Sequence, residues 1–238
     1  MADDHFDRVD SCLASRELGS LIGLEEGIRF EAKRAAAYRI DSAASRYELA
    51  KDVSALANAN GGMIVIGVAT ERAESEMLDR VSALDLVPPD AVKPSALEGI
   101  IREHVHPPIP DLSVSWVEDV AGRGLGVVVI RVPAQQHDVK PFLTLRVVED
   151  GHVIKQTVVG YAIRVESGAE PFSPTRLHEA MKQGMNSVAQ RLDRLEAKLD
   201  ALIESRETQA SEPRAVAPST PDLVLLNERI ARLLGDAE

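Results

Sequence analysis

Leu56-Ala57-Asn58-Ala59-Asn60-Gly61-Gly62-Met63-Ile64-Val65-Ile66-Gly67-Val68 holds the end of a helix, a reversal and a buried strand in one short stretch. Upstream of it, Tyr47, Ala50, Val53, Leu56 and Ala57 recur at helical spacing, which predicts a helix over residues 43–59. Asn60-Gly61-Gly62 ends that helix, because Asn and Gly tolerate the left-handed backbone of a helix C-cap. The β-branched run 63–68 follows at once and has no polar face. It predicts a buried strand.

Working outward, Ile28-Arg29-Phe30-Glu31-Ala32-Lys33 alternates with period two and predicts a strand that pairs with 63–68. Residues 6–22, 75–86 and 93–105 are predicted as helices; Pro94 suits the first turn of the third. Strands are predicted over 112–117, 125–132 and 161–166. A hairpin is predicted from 142–148 and 152–158 around Glu149-Asp150-Gly151. The expected fold class is α+β, a mixed sheet with flanking helices, followed by a C-terminal coiled-coil helix.

Domain organisation follows from where the pattern changes. Residues 1–24 form an N-terminal helix and 25–180 the main domain. In 181–205, Met181, Met185, Val188, Leu192, Leu195, Leu199 and Leu202 step by four and three, the seam of a coiled coil. Residues 206–221, rich in Glu, Ser, Thr, Ala and Pro, read as a linker, and 222–238 as a short amphipathic helix suited to a protein partner. The seam predicts self-association, with a dimer as the simplest form.

The chain of 238 residues carries a formal net charge of −11. That argues against a wholly basic nucleic-acid-binding surface but leaves room for a local basic groove. Aromatic residues make up only 3%, so the core must rest on aliphatic side chains. Cys12 stands alone, which excludes an internal disulfide and a cysteine metal cluster and favours a reducing, cytoplasmic setting. The acidic start and the short apolar runs predict neither a secretory leader nor a membrane span. Gly122, Gly124 and Gly126 fall between two strands, so they lack the helix a dinucleotide loop requires. His104 and His106 adjoin a Pro-Pro break and read as a helix end rather than a metal site.

The order of these segments resembles the Schlafen AlbA-type family. Glu26-Gly27-Ile28-Arg29-Phe30-Glu31-Ala32-Lys33 is similar to its opening motif, and the helix–Asn-Gly-Gly–strand segment to its most specific one. Val129-Ile130-Arg131-Val132-Pro133, Lys140-Pro141 and Gly160-Tyr161-Ala162-Ile163-Arg164 resemble its later strands and loops. The resemblance implies association with DNA or RNA. It also implies a second possibility, since some members are metal-dependent endoribonucleases. Those use carboxylates placed as Glu26 and Glu31 are here, with Mg²⁺ or Mn²⁺, and an Asp just after the central strand. Here Gly67-Val68 is followed by Ala69-Thr70, and the nearest acid is Glu71. Either Glu71 substitutes or the metal site is lost. In an unbent strand Glu26 and Glu31 would also point to opposite faces.

For binding, Arg29, Lys33 and Arg34 are the candidate phosphate contacts, with Arg39, Arg46 and Lys51 on the next segment and Lys140 and Arg164 at the later motifs. Gly61 and Gly62 offer backbone N–H groups that can receive a phosphate, or simply a tight turn. Three functions are weighed: a phosphate-backbone-binding module oligomerised through Met185, Val188, Leu192, Leu195, Leu199 and Leu202; a metal-dependent endoribonuclease; and a non-catalytic interaction scaffold.

Overall fold

The computed structural model describes residues 2–38, 40–72, 78–150, 153–165, 168–170 and 173–211. The elements run in the order α1 (Ala2–Ser15), β1 (Phe30–Lys33), α2 (Ala43–Asn58), β2 (Gly62–Ile66), β3 (Val68–Glu71), β4 (Arg80–Leu84), α3 (Pro94–His104), β5 (Val105–His106), β6 (Ser113–Glu118), β7 (Gly126–Val132), β8 (Leu143–Asp150), β9 (Val153–Gly160), β10 (Ile163–Val165), β11 (Gly168–Glu170) and α4 (Pro174–Ser211). Among the described residues, no helix is long and apolar enough to cross a membrane.

The principal sheet has the order β1-β2-β7-β6. β1 and β2 are parallel, joined through α2, with Phe30 opposite Met63 and Lys33 opposite Ile66. β7 runs antiparallel to both β2 and β6. The apolar run of β2 follows from this interior place. Ile64 and Ile66 pack with Val128 and Ile130 against α2, α3 and Phe142. Met63 and Val65 pack on the other face with Phe30, Val127 and Val129 against Val9 and Leu13 of α1 and against Leu18, Leu21 and Val81. Each face is covered, so neither can be polar. Ser42 caps α2 by accepting from the Ser45 N–H.

The glycines after α2 are required by close approach. A Cβ on Gly61 would stand 2.5 Å from Val132 O, and one on Gly62 2.4 Å from Arg29 O. Gly61 also has φ +70. The turn is wedged between two strands, and both glycines are buried.

Several expectations are corrected. Residues 80–84, expected within a helix over 75–86, form β4, pairing antiparallel with β3 so that Thr70 faces Val81. Leu78, Val81 and Leu84 are three apart and mimic a helical stripe, but pairing with β3 overrides that local signal; residues 73–77 lie outside the described ones. The strand expected over 63–68 divides at Gly67 into β2 and β3, which belong to different sheets. The helix expected over 6–22 ends at Ser15. Arg16 takes φ 61, and a 3-10 turn follows at Leu18–Leu21. The hairpin is present as β8 and β9, its tip at 151–152 outside the described residues. β10 pairs antiparallel with β11.

The chain divides into two compact units, 1–188 and 189–238. The second, as far as it is described, is helix. α4 begins at Pro174 rather than 181 and includes residues 206–211, expected in the linker. The helix expected over 222–238 lies outside the described residues.

Candidate functional site

β1 is an edge strand, and alternation sorts its side chains. Phe30 and Ala32 enter the core beneath α1. Glu31 and Lys33 point to the α2 side, where Lys33 Nζ lies 3.8 Å from Asp52 Oδ2. The chain before β1 bends: the Gly27 N–H donates to Phe30 O at 3.0 Å. The bend brings Glu26 back alongside the strand, where its Oε1 accepts from the Ala32 N–H at 2.9 Å. Glu26 and Glu31 therefore line one cleft despite their odd spacing.

Arg164, on β10, closes this edge. Its Nε donates to Gly27 O at 3.1 Å and its Nη2 to Phe30 O at 3.4 Å. Its Nη1 is ion-paired with Glu31 Oε2. That oxygen has no well-aligned hydrogen bond, so the ion pair is what compensates it. Arg164 is 6% exposed, and burial pushes its guanidinium down while Glu26 pulls it up. An unpaired strand edge is thereby covered.

The resulting cleft, of about 600 Å³, is lined by five carboxylates (Glu26, Glu31, Glu48, Asp52, Asp79) and four cations (Lys33, Arg34, Lys51, Arg164). Lys33 pairs with Glu31, and Lys51 with Glu48. Asp52 is 7% exposed and accepts the Tyr38 hydroxyl at 2.8 Å. Burial raises the Asp52 carboxyl, against the pull of Lys33, the Tyr38 hydroxyl and Lys51. Burial likewise raises Glu26, against the Ala32 N–H, Lys33 and Arg164. Asp52 carried no signal in the sequence, because nothing local marks an acid in a helix as buried.

Arg29 stacks over the Phe6 ring at 3.8 Å and does not line the cleft. Arg34 is exposed at the cleft rim. Arg46 donates from Nε to Ile40 O, and Arg39 lies outside the described residues. Lys140 Nζ donates to the carbonyls of Asn58 and Ala59 at the end of α2, and burial lowers its ammonium. It lines a second cleft of about 390 Å³, with Arg164 shared between the two. Gly61 and Gly62 are packed against backbone, which accounts for them as a turn. His104 Nδ1 donates to Leu145 O at 3.1 Å, and His106 Nε2 to Glu103 O at 3.2 Å.

The fit of Mg²⁺ or Mn²⁺ is poor. Glu31 is already compensated by Lys33 and Arg164. Glu71 is exposed at the end of β3 and does not line the cleft. Among the described residues no group of three or more His, Cys, Asp or Glu is arranged to hold a metal.

A two-faced mixed sheet with a charged cleft at its parallel edge, bounded by β1, α2 and β10, defines an α+β domain. Residues 26–173 match the family model described as Schlafen, AlbA_2, and the chain belongs to that family. Among solved structures it is similar to the DIP2311 protein from Corynebacterium diphtheriae, with 17% identity, a TM-score of 0.37, and coverage of 74% of this chain and 32% of that one. It is also similar to the N-terminal domain of a RecG-related protein from Nitrosomonas europaea, with 20% identity, a TM-score of 0.36, and coverage of 70% and 90%. The chain spans about a third of DIP2311. No curated protein matches.

Proposed function

We propose that this chain is a nucleic-acid-binding module that takes the phosphate backbone of DNA or RNA in the cleft beside β1. One observation carries the reading: Lys33, Arg34 and Lys51, from the strand, the segment after it and the facing helix, line a single open cleft. Ammonium and guanidinium groups there offer charge-assisted donors to phosphate. Among the described residues no aromatic side chain lines the cleft, so the proposed binding does not rest on base stacking and sequence preference is weak. Of the cations expected from sequence, Lys33, Arg34 and Lys51 line the cleft and Arg29 does not.

Binding of a labelled oligo(U), an oligo(dT) and a DNA duplex, titrated against salt, tests this. Three phosphate contacts give a log–log salt slope of about −2 on single strands and about −3 on duplex. Alanine at Lys33, Arg34 and Lys51 together abolishes most of the affinity. Equal binding by parent and variant overturns the cleft as the site.

The same reading includes self-association through α4. Seam exposure ranges from 46% at Val188 to 75% at Met185. A second copy is the occupant that the four-three spacing fits. In a parallel pair Arg191 falls opposite Glu196 of the other copy, an opposite-charge contact.

A further inference from the structure

We propose that Asp52 is a positioning residue of this cleft, a buried carboxylate that holds Lys33 and Lys51 together as a two-ammonium clamp for one phosphate. This rests on the binding reading above. Lys33 comes from β1 and Lys51 from α2, and each retains more than a quarter of its side-chain exposure, 29% and 27%. Asp52 lies between them. Its Oδ2 faces Lys33 Nζ at 3.8 Å and its Oδ1 faces Lys51 Nζ at 3.8 Å. Both distances exceed hydrogen-bond length, so neither ammonium is locked onto Asp52 and each keeps donors for an anion. Lys33 is also paired with the buried Glu31, and Lys51 with Glu48.

Adjacent helix residues do not normally face each other, so the Lys51–Asp52 contact is not a by-product of helix geometry. The carboxylate is itself fixed, because the Tyr38 hydroxyl donates to Oδ2 at 2.8 Å. Lysine side chains are rotamer-rich, and ordering two of them in advance lowers the cost of binding. A charged group buried at net cost beside an open cleft is the pattern expected of a functional carboxylate.

The sign of the Asp52→Asn effect separates positioning from simple electrostatics. Removing a negative charge beside a polyanion site should tighten binding if the carboxylate acts only through space. If it positions the lysines, affinity for oligo(U) falls by about tenfold, and the salt slope becomes shallower by about one as a contact is lost. Mere loss of folded protein would lower the active fraction without changing the slope. Tyr38→Phe keeps every charge and frees the carboxylate, and should weaken binding in the same direction; it decides the matter if Asp52→Asn does not fold. Equal or tighter binding by Asp52→Asn, or Tyr38→Phe binding like the parent, overturns the proposal alone. A parent that binds none of the probes, or binds them without regard to Lys33→Ala and Lys51→Ala, overturns the cleft reading with it.

Discussion

Asn58 and Phe142 form a closed pair of hydrogen bonds: Asn58 Nδ2 donates to Phe142 O at 2.8 Å, and the Phe142 N–H donates to Asn58 Oδ1 at 2.7 Å. The same Nδ2 donates to Ala162 O at 2.8 Å. Through one carboxamide, the last residue of α2 holds both the start of β8 and the approach to β10. Because β10 carries Arg164, this fastening also fixes the residue that closes β1.

Asn58→Ala leaves a buried N–H and two carbonyls without these partners. It should destabilise the chain by about 3 kcal/mol, given the cost of unsatisfied buried polar groups. Urea unfolding measures it, and a variant with the parent's midpoint would show that the fastening is not structural.

Arg164 and Arg34 should separate as structure and function. Arg164→Ala strands Glu31 beside the sheet edge, at about 3 kcal/mol or more for a broken buried ion pair. Arg34→Ala, at an exposed position, should stay within about 0.5 kcal/mol of the parent. Yet Arg34→Ala alone should weaken nucleic-acid binding and lower its salt dependence. Thermal melts beside binding curves test both halves, and a reversed pattern contradicts the assignment.

Glu26 should leave a mark on the pH dependence of stability. Its carboxyl is raised mainly by burial, so the folded state holds the proton more tightly than the unfolded state. Stability from this group is therefore present below the ordinary glutamate value and is lost as pH rises through the raised one. Glu26→Gln removes that dependence while keeping an acceptor for the Ala32 N–H. The parent's stability relative to the variant should fall with rising pH across that window and level off above it. A flat difference, or one of opposite slope, contradicts the burial argument.

Metal-dependent cleavage should be weak or absent. With Glu31 compensated by Lys33 and Arg164 and Glu71 away from the cleft, Mn²⁺ should not produce RNA cleavage by the parent above that of Glu31→Ala. Robust cleavage that vanishes in Glu31→Ala would reverse this and restore the nuclease reading.

The seam of α4 should drive self-association. The double change Leu195→Asp and Leu199→Asp should yield a monomer that keeps the first unit folded. A parent that already sediments as a monomer at about tens of micromolar, where a coil of about three heptads should associate, removes the coiled coil.

The sequence by itself determined the helix over α2, its stop at Asn60-Gly61-Gly62 and the buried strand behind it. These follow from side-chain periodicity and from glycine's lack of a Cβ, properties of neighbouring residues. It also indicated that the alternating segment 28–33 pairs with that strand; the parallel direction of the pairing came from the structure. Only the tertiary structure decided that residues 80–84 are a strand, since β3 supplies the hydrogen bonds that outweigh a local helical spacing. Only the tertiary structure decided which cations face the cleft. Lys33 faces the cleft beside Glu31, whereas Arg29 precedes β1 and stacks on Phe6. Asp52, Lys51, Tyr38 and Arg164 meet because a helix, a loop and a distant strand converge on one sheet edge. Burial and charge pairing depend on that convergence, and no spacing within the chain encodes it.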